Sequence, residues 1–264
     1  MLAQRLAVAA VGLPLLALLV ASPERVFGIG IAVILGAATY EFVHAAVPGA
    51  PRTSSLSAGA LAALGAAAFR TLEEIPIWSL PAMVVVTVLL LGLLLWPGPG
   101  EAPAGAWWLG GVLYLGVLGA HWLLLRNEDD GQRWVVVALA ATFATDTGAY
   151  AVGRLFGRHL LWPAVSPKKT WEGAVGALVI GGGIAAALPY ALDIEPDWWW
   201  VAAIAVGLPV SAVVGDLLES ALKRRMHVKD MSHLLPGHGG LLDRLDSLLV
   251  TGPLLYWLLQ GVHR

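Results

Sequence analysis

Cysteine is missing from the 264 residues. That removes disulfides, thiolate metal ligands and thiol nucleophiles together, so a bound metal must be held by carboxylates, histidines or water. Such a donor set suits a hard ion such as Mg2+. Charge is scarce as well: Asp, Glu, Lys and Arg make up 13% of the chain, against roughly one quarter in soluble domains. The formal net charge of −2 carries no basic excess, which argues against nucleic acid as a partner. No repeat relates one half of the chain to the other. What fills the space is apolar: 58% of the residues, with a mean hydropathy of +0.75. A soluble fold of this composition would leave large apolar patches in water, which monomers rarely do. The bilayer is therefore the expected solvent.

Arg5, the apolar run to Val20 and then Ala21-Ser22 have the outline of a secretory signal peptide. Comparable runs recur along the whole chain, so a first transmembrane span is the simpler reading. Crossing the hydrocarbon core takes ~20 apolar residues in helix. Runs of that order lie near 5–22, 26–46, 54–70, 77–96, 105–125, 133–153, 172–192, 198–222 and 241–262. The expected fold is thus an all-α polytopic integral membrane protein with about nine transmembrane helices. It divides into N-terminal scaffold helices (1–130), with oligomer contacts such as a homodimer, and a C-terminal catalytic region (131–264). The third span is short and rich in Ala and Gly, so it is either re-entrant or packed closely on its neighbours. Pro-Gly-Pro-Gly at 97–100 reads as an interfacial turn. Trp107-Trp108 and Trp198-Trp199-Trp200 read as interfacial belts.

The lysines orient the chain. All of them fall in two loops, Lys168 and Lys169 after the sixth span and Lys223 and Lys229 around the end of the eighth. Arg154, Arg158, Arg224 and Arg225 join them, whereas the loop with Asp193, Glu195 and Asp197 has no cation. By the positive-inside rule both basic loops face the cytoplasm.

Acids stand where lipid should be. Asp146 lies in the sixth span, Asp216 and Glu219 in the eighth, and Asp243 and Asp246 are expected to open the ninth. Ionisable groups at membrane depth are costly and normally serve a site. A single one is as readily a helix-end carboxylate in water. Five on the helices flanking the basic loops point to a site. At 100° per residue, Asp216, Glu219, Ser220 and Lys223 share a helix face, and Asp243 and Asp246 would sit one turn apart. Converging at the cytoplasmic mouth, such acids can bracket hard cations for phosphoryl transfer. Ser166-Pro-Lys-Lys-Thr-Trp-Glu-Gly173 enters the seventh helix, with Ser166 or Thr170 as its cap and two lysines facing an anion. Pro236-Gly-His-Gly-Gly240 offers backbone N–H groups for phosphate oxygens. His238 is a metal-ligand candidate or an ordinary hydrogen-bonding turn residue.

The stretch from Ser220 to Asp246 resembles the signature of the CDP-diacylglycerol synthase (phosphatidate cytidylyltransferase) family. That signature is Ser-x-apolar-Lys-Arg, four free positions, Lys-Asp, then Pro-x-His-Gly-Gly and Asp-Arg-x-Asp, and every fixed position is met. Asp146-Thr-Gly-Ala-Tyr150 with Gly153-Arg154, and Ser166-Pro-Lys-Lys-Thr-x-Glu-Gly173, are similar too. The specific likeness runs from about 143 to 250; before it, only the multi-span character and Glu41-Phe42 are similar. Met231 and His227 depart from the residues expected at their positions, away from the charged ones.

The resemblance implies transfer of CMP from CTP to phosphatidate, giving CDP-diacylglycerol and pyrophosphate, in a cytoplasmic (plasma or inner) membrane. It implies Mg2+, with a second cation as a further candidate. Asp216, Asp243 and Asp246 become metal ligands, with Asp146 and Glu219 as additional candidates and Lys223 as a catalytic cation. Lys168, Lys169, Arg224, Lys229 and Arg244 become phosphate-binding residues. Ser166, Thr170, Ser220, Asp230, His238, Gly239 and Gly240 complete the substrate-binding set. Two rival readings are a change of substrate, to a CTP-dependent polyprenol or lipid-alcohol kinase, opposed by the intact signature, or to a cytidylyltransferase for an ether lipid, and a cation transporter, opposed by the crowding of acids at one mouth without paired repeats.

Overall fold

The computed structural model describes residues 2–69, 76–96, 102–235, 237 and 239–262. The turn expected at 97–100, and His238, lie outside the described residues. Among the described residues there are nine α-helices: α1 (Leu2–Ala21), α2 (Glu24–Ala46), α3 (Arg52–Phe69), α4 (Pro76–Leu94), α5 (Ala104–Asn127), α6 (Gly131–Phe156), α7 (Trp171–Ala191), α8 (Trp198–Arg225) and α9 (Leu248–Val262). Five of them, α2, α5, α6, α7 and α8, are long and apolar enough to cross a bilayer, and shorter apolar stretches lie in α1, α4 and α9. Prolines interior to α7 and α8 do not end those helices, as is usual where neighbouring groups re-satisfy the backbone. The fold is that of an all-α membrane protein, as its apolar runs require.

The chain forms two compact units, Met1–Leu124 with Leu222–Leu245, and Leu125–Ala221 with Asp246–Arg264. The segment Leu222–Leu245 thus packs with the N-terminal helices, whereas the sequence division at 130 assigns it to the C-terminal region.

In the first unit α3 lies against α2, as the close-packing reading of the third span expects. The contact is made by small residues. A Cβ on Gly59 would stand 2.5 Å from the Gly36 carbonyl oxygen, and Ala58, Ala62 and Ala66 are wholly buried. Such residues let two backbones approach where the hydrophobic effect cannot drive them together. Phe42 on α2 stacks obliquely on Trp107 and Tyr114 of α5, with centroids 6.0 and 6.1 Å away. Trp107 is therefore a core residue rather than part of an interfacial belt, and Trp108 donates its indole N–H to the Ser54 carbonyl at 2.9 Å. Trp198 and Trp199 are exposed, as a belt requires, but Trp200 is buried and belongs to the core, so the expected belt of three is reduced to two.

In the second unit α6 and α7 cross at glycines: a Cβ on Gly148 would lie 2.6 Å from the Gly176 carbonyl. Hydroxyls of Thr142 (α6) and Ser211 (α8) each meet that of Thr251 (α9) at 3.4 Å. Between α6 and α7 runs an antiparallel hairpin, β1 (Leu160–Trp162) and β2 (Ser166–Thr170), where the sequence suggested only a loop.

The start of the ninth helix also differs from expectation. Asp243 sits in a single 3-10 turn, Leu242–Arg244, and α9 begins only at Leu248. The cause is local competition for backbone donors. Asp243 accepts the Gly240 N–H at 2.6 Å and Asp246 accepts the Ser247 N–H at 2.6 Å, and side chains that bind nearby backbone groups favour turns over helix interiors. Asp243 and Asp246 therefore do not project from one α-helical face.

Candidate active site

Each unit carries a lysine–carboxylate pair, reached by different routes. In the second unit β2 leads straight into α7. The Thr170 hydroxyl accepts the Gly173 N–H at 3.1 Å and caps the helix, so of the two proposed caps Thr170 serves, and Ser166 starts the strand. Gly173 is needed beside that cap, since a Cβ there would approach the Ala149 carbonyl to 2.9 Å. Lys168 is exposed, while Lys169, next to it on the strand, is half-buried and sets Nζ 2.7 Å from Oδ2 of Asp216 on α8. The other oxygen of Asp216 accepts the Ser220 hydroxyl at 3.3 Å, one helical turn on. This is the shared helix face that the spacing predicts. Glu219, also expected on that face, is wholly buried, whereas Asp146 on α6 is exposed. The hairpin is tied down by Glu172, whose Oε2 accepts the Arg158 and His159 N–H groups at 3.1 and 3.2 Å, while Oε1 meets His159 Nδ1 at 2.6 Å.

In the first unit the last turn of α8 supplies Lys223. Its Nζ lies 2.8 Å from Oδ1 of Asp243, whose side chain is 4% exposed. Asp243 also accepts the Met231 N–H at 3.0 Å and the Gly240 N–H at 2.6 Å through Oδ2. Leu235 and Gly239 pair in an isolated antiparallel bridge that marks a small hairpin, with Gly237 and Gly239 at φ 76° and 82°. Those left-handed values favour glycine, which explains the Gly-x-Gly spacing of the motif. The hairpin has a second anchor: Glu41 of α2, buried, accepts the Ser232 hydroxyl at 2.7 Å and the Leu242 N–H at 3.0 Å. Sequence reading left Glu41 outside the site, although an acid in an otherwise apolar span is the signal that should have flagged it. Arg224, Lys229 and Arg244 are exposed, with cationic groups that can meet solvent anions, and the Asp230 carboxylate is exposed among them.

These groups suit a polyanionic substrate. The Lys223 ammonium, 2.8 Å from a carboxylate that is 4% exposed, is a charge kept in place at lower dielectric, where it acts more strongly than in water, while Lys169 and Asp216, 2.7 Å apart, stay partly open to solvent. For a metal the donor chemistry fits a hard divalent ion at Asp216, where the Lys169 ammonium already stands as a cation against Oδ2. Asp243 fits less directly, because Lys223, Met231 and Gly240 take its oxygens. Among the described residues no three His, Asp or Glu side chains form a ready-made metal nest.

The profile of the cytidylyltransferase family matches residues 3–262. The chain belongs to that family. Curated members similar to it include the phosphatidate cytidylyltransferase of Bacillus subtilis (strain 168), 40% identical over 149 residues covering 56% of this chain and 55% of that protein. Another is the phosphatidate cytidylyltransferase of Staphylococcus haemolyticus (strain JCSC1435), 39% identical over 148 residues, 56% of each chain. The chain thus matches little more than half the length of these relatives. Family membership agrees with the resemblance carried by the Ser220–Asp246 signature.

Proposed function

We propose that this protein is a phosphatidate cytidylyltransferase, transferring CMP from CTP to phosphatidate in the membrane and releasing pyrophosphate. The observation that carries the reading is the signature segment itself, folded around Asp243 with Lys223 held against it. The names of the family's curated members support it. In this reaction an ionised phosphate oxygen of phosphatidate attacks the α-phosphorus of CTP. An oxygen–phosphorus bond forms there, and the bond from the α-phosphorus to the bridging oxygen of pyrophosphate breaks. No strong general base is needed, because the nucleophile is already anionic at neutral pH.

The protein's task is to bring two polyanions together and stabilise the leaving group, which fixed cations do well. Lys168 and Lys169 bind CTP phosphates, Lys169 by exchanging its contact with Asp216 for one with substrate. Lys223 supports the charge developing on the reacting phosphates, and Arg224, Lys229 and Arg244 supply further phosphate contacts. Gly239 shapes the turn beside the substrate, the buried Gly240 N–H being held by Asp243 and so closed to phosphate, and Ser166, Thr170, Ser220 and Asp230 complete the substrate contacts. Mg2+ is the expected divalent cation, held by Asp216 and Asp246; Asp243 reaches a cation only by exchanging the Lys223 ammonium for it. Bound there, Mg2+ supplies Lewis-acid neutralisation of phosphate oxygens. The lysine-bearing loops face the cytoplasm, the side from which CTP arrives.

The test is reconstitution of purified protein in liposomes with CTP, Mg2+ and, in parallel, phosphatidate, diacylglycerol or a polyprenol. The reading predicts a CDP-lipid from phosphatidate alone. Phosphorylated lipid from either alcohol would replace it with the kinase reading.

A further inference from the structure

The N-terminal helices have no assigned part in the chemistry, yet α2 sends one carboxylate into the signature segment. Glu41 is 5% exposed, and its two oxygens accept donors from opposite sides of the hairpin: the Ser232 hydroxyl at 2.7 Å and the Leu242 N–H at 3.0 Å. Ser232 in turn accepts the Leu234 N–H at 3.1 Å, so the contact extends to the base of the turn. Asp243 grips the neighbouring residues in the same manner, taking Met231 and Gly240. The two acids therefore fasten the hairpin at adjacent points on both of its arms. Gly240 lies between them with no room for a side chain, since a Cβ would stand 2.6 Å from Glu41 Oε2 and 3.0 Å from Ser232 Oγ.

Isolated carboxylates are expensive to bury, and one retained on an apolar helix must return that cost through what it holds. We propose that Glu41 is a positioning residue, the anchor by which α2 fixes the hairpin 231–242 in its working conformation. The N-terminal helices are then part of the catalytic apparatus rather than a passive scaffold. The effect on turnover rests on the cytidylyltransferase reading; the anchoring itself does not. Glu41→Gln keeps the shape but leaves a single acceptor oxygen and no charge, so the Leu242 N–H can keep its partner only if the Ser232 contact reverses, the amide N–H2 donating weakly to a hydroxyl oxygen that already accepts the Leu234 N–H. Ser232→Ala removes one tie and leaves the buried acid in place, so it serves as the milder variant should the first fold poorly.

The chain's lack of cysteine allows a nitroxide at Leu234→Cys, an exposed side chain at the hairpin, to report loop motion by electron paramagnetic resonance. Both variants should sharpen the nitroxide spectrum toward a mobile line shape. Each should also lower kcat per folded molecule by roughly ten- to a hundredfold, the scale that a misplacement of about 1 Å produces, with KM for CTP little changed. The double variant should be no worse than Glu41→Gln, because both act through one contact. An unchanged nitroxide spectrum overturns the anchor. A mobile hairpin with undiminished kcat overturns the positioning role. If the parent protein makes no CDP-lipid, the cytidylyltransferase reading fails, and the spectrum still decides whether Glu41 holds the hairpin.

Discussion

Replacing Asp243 by Asn tests how the signature segment is held. The carboxylate is 4% exposed and takes Lys223 Nζ at 2.8 Å, the Met231 N–H at 3.0 Å and the Gly240 N–H at 2.6 Å. Asn has one acceptor oxygen in place of two, so at least one N–H loses its partner and the new amide N–H2 faces another donor. Lys223, whose side chain is 15% exposed, loses the carboxylate that stands 2.8 Å from its ammonium. Removing one member of such a pair costs about 3–5 kcal/mol. The contacts lie within Leu222–Leu245, so the loss should appear as local opening of that segment. At 1.4 kcal/mol per factor of ten, amide protection at Met231 and Gly240 should fall by roughly two to three and a half powers of ten. Hydrogen exchange read by mass spectrometry on peptides spanning 228–245 measures this, with α2 and α3 peptides as internal standards. Unchanged protection at 228–245 refutes the clamp. Equal loss in α2 and α3 refutes its being local.

Three other outcomes follow from the same contacts. Lys168→Gln with Lys169→Gln should chiefly raise KM for CTP, each charge-assisted contact being worth about 1.5–3 kcal/mol; normal KM in folded protein would reduce the lysines to topology signals. Asp246→Asn keeps the acceptor for the Ser247 N–H, so the protein should purify normally, lose turnover by orders of magnitude and show less thermal stabilisation by Mg2+. Near-normal Mg2+-dependent activity would remove Asp246 from the ligand set. Cysteine placed at Leu160 should react with impermeant thiol reagents from the cytoplasmic side, and cysteine at Glu195 from the opposite side; the reverse pattern would invert the topology.

The helices were legible because span length is fixed by bilayer thickness, so the apolar runs mark their ends almost to the residue: the runs at 26–46 and 172–192 became α2 (Glu24–Ala46) and α7 (Trp171–Ala191). Helical periodicity also placed Asp216 and Ser220 on one face, where they are bonded. What escaped was set by contacts distant in sequence or by short polar stretches without a period. Strands of three and five residues, β1 and β2, are too short to show alternation. The delayed start of α9 depends on side-chain acceptors competing for backbone donors, which an apolar run extending to 241 conceals. Asp243 read as one of two helix-face ligands, but a partner some 20 positions earlier, Lys223, and the amide of Met231 give it a different geometry. Glu41 shows in the sequence only as a point of family likeness, because the partners that give it a role, Ser232 and Leu242, lie far along the chain.

Isotope partition tests the central claim most directly. Purified protein in phosphatidate-containing liposomes with Mg2+ would receive CTP labelled at the α-phosphate in one reaction and at the γ-phosphate in another. Cytidylyl transfer puts the α label into the lipid product and the γ label into pyrophosphate, in equal amounts. Label from the γ position in lipid, or consumption of CTP without any labelled lipid, would contradict it.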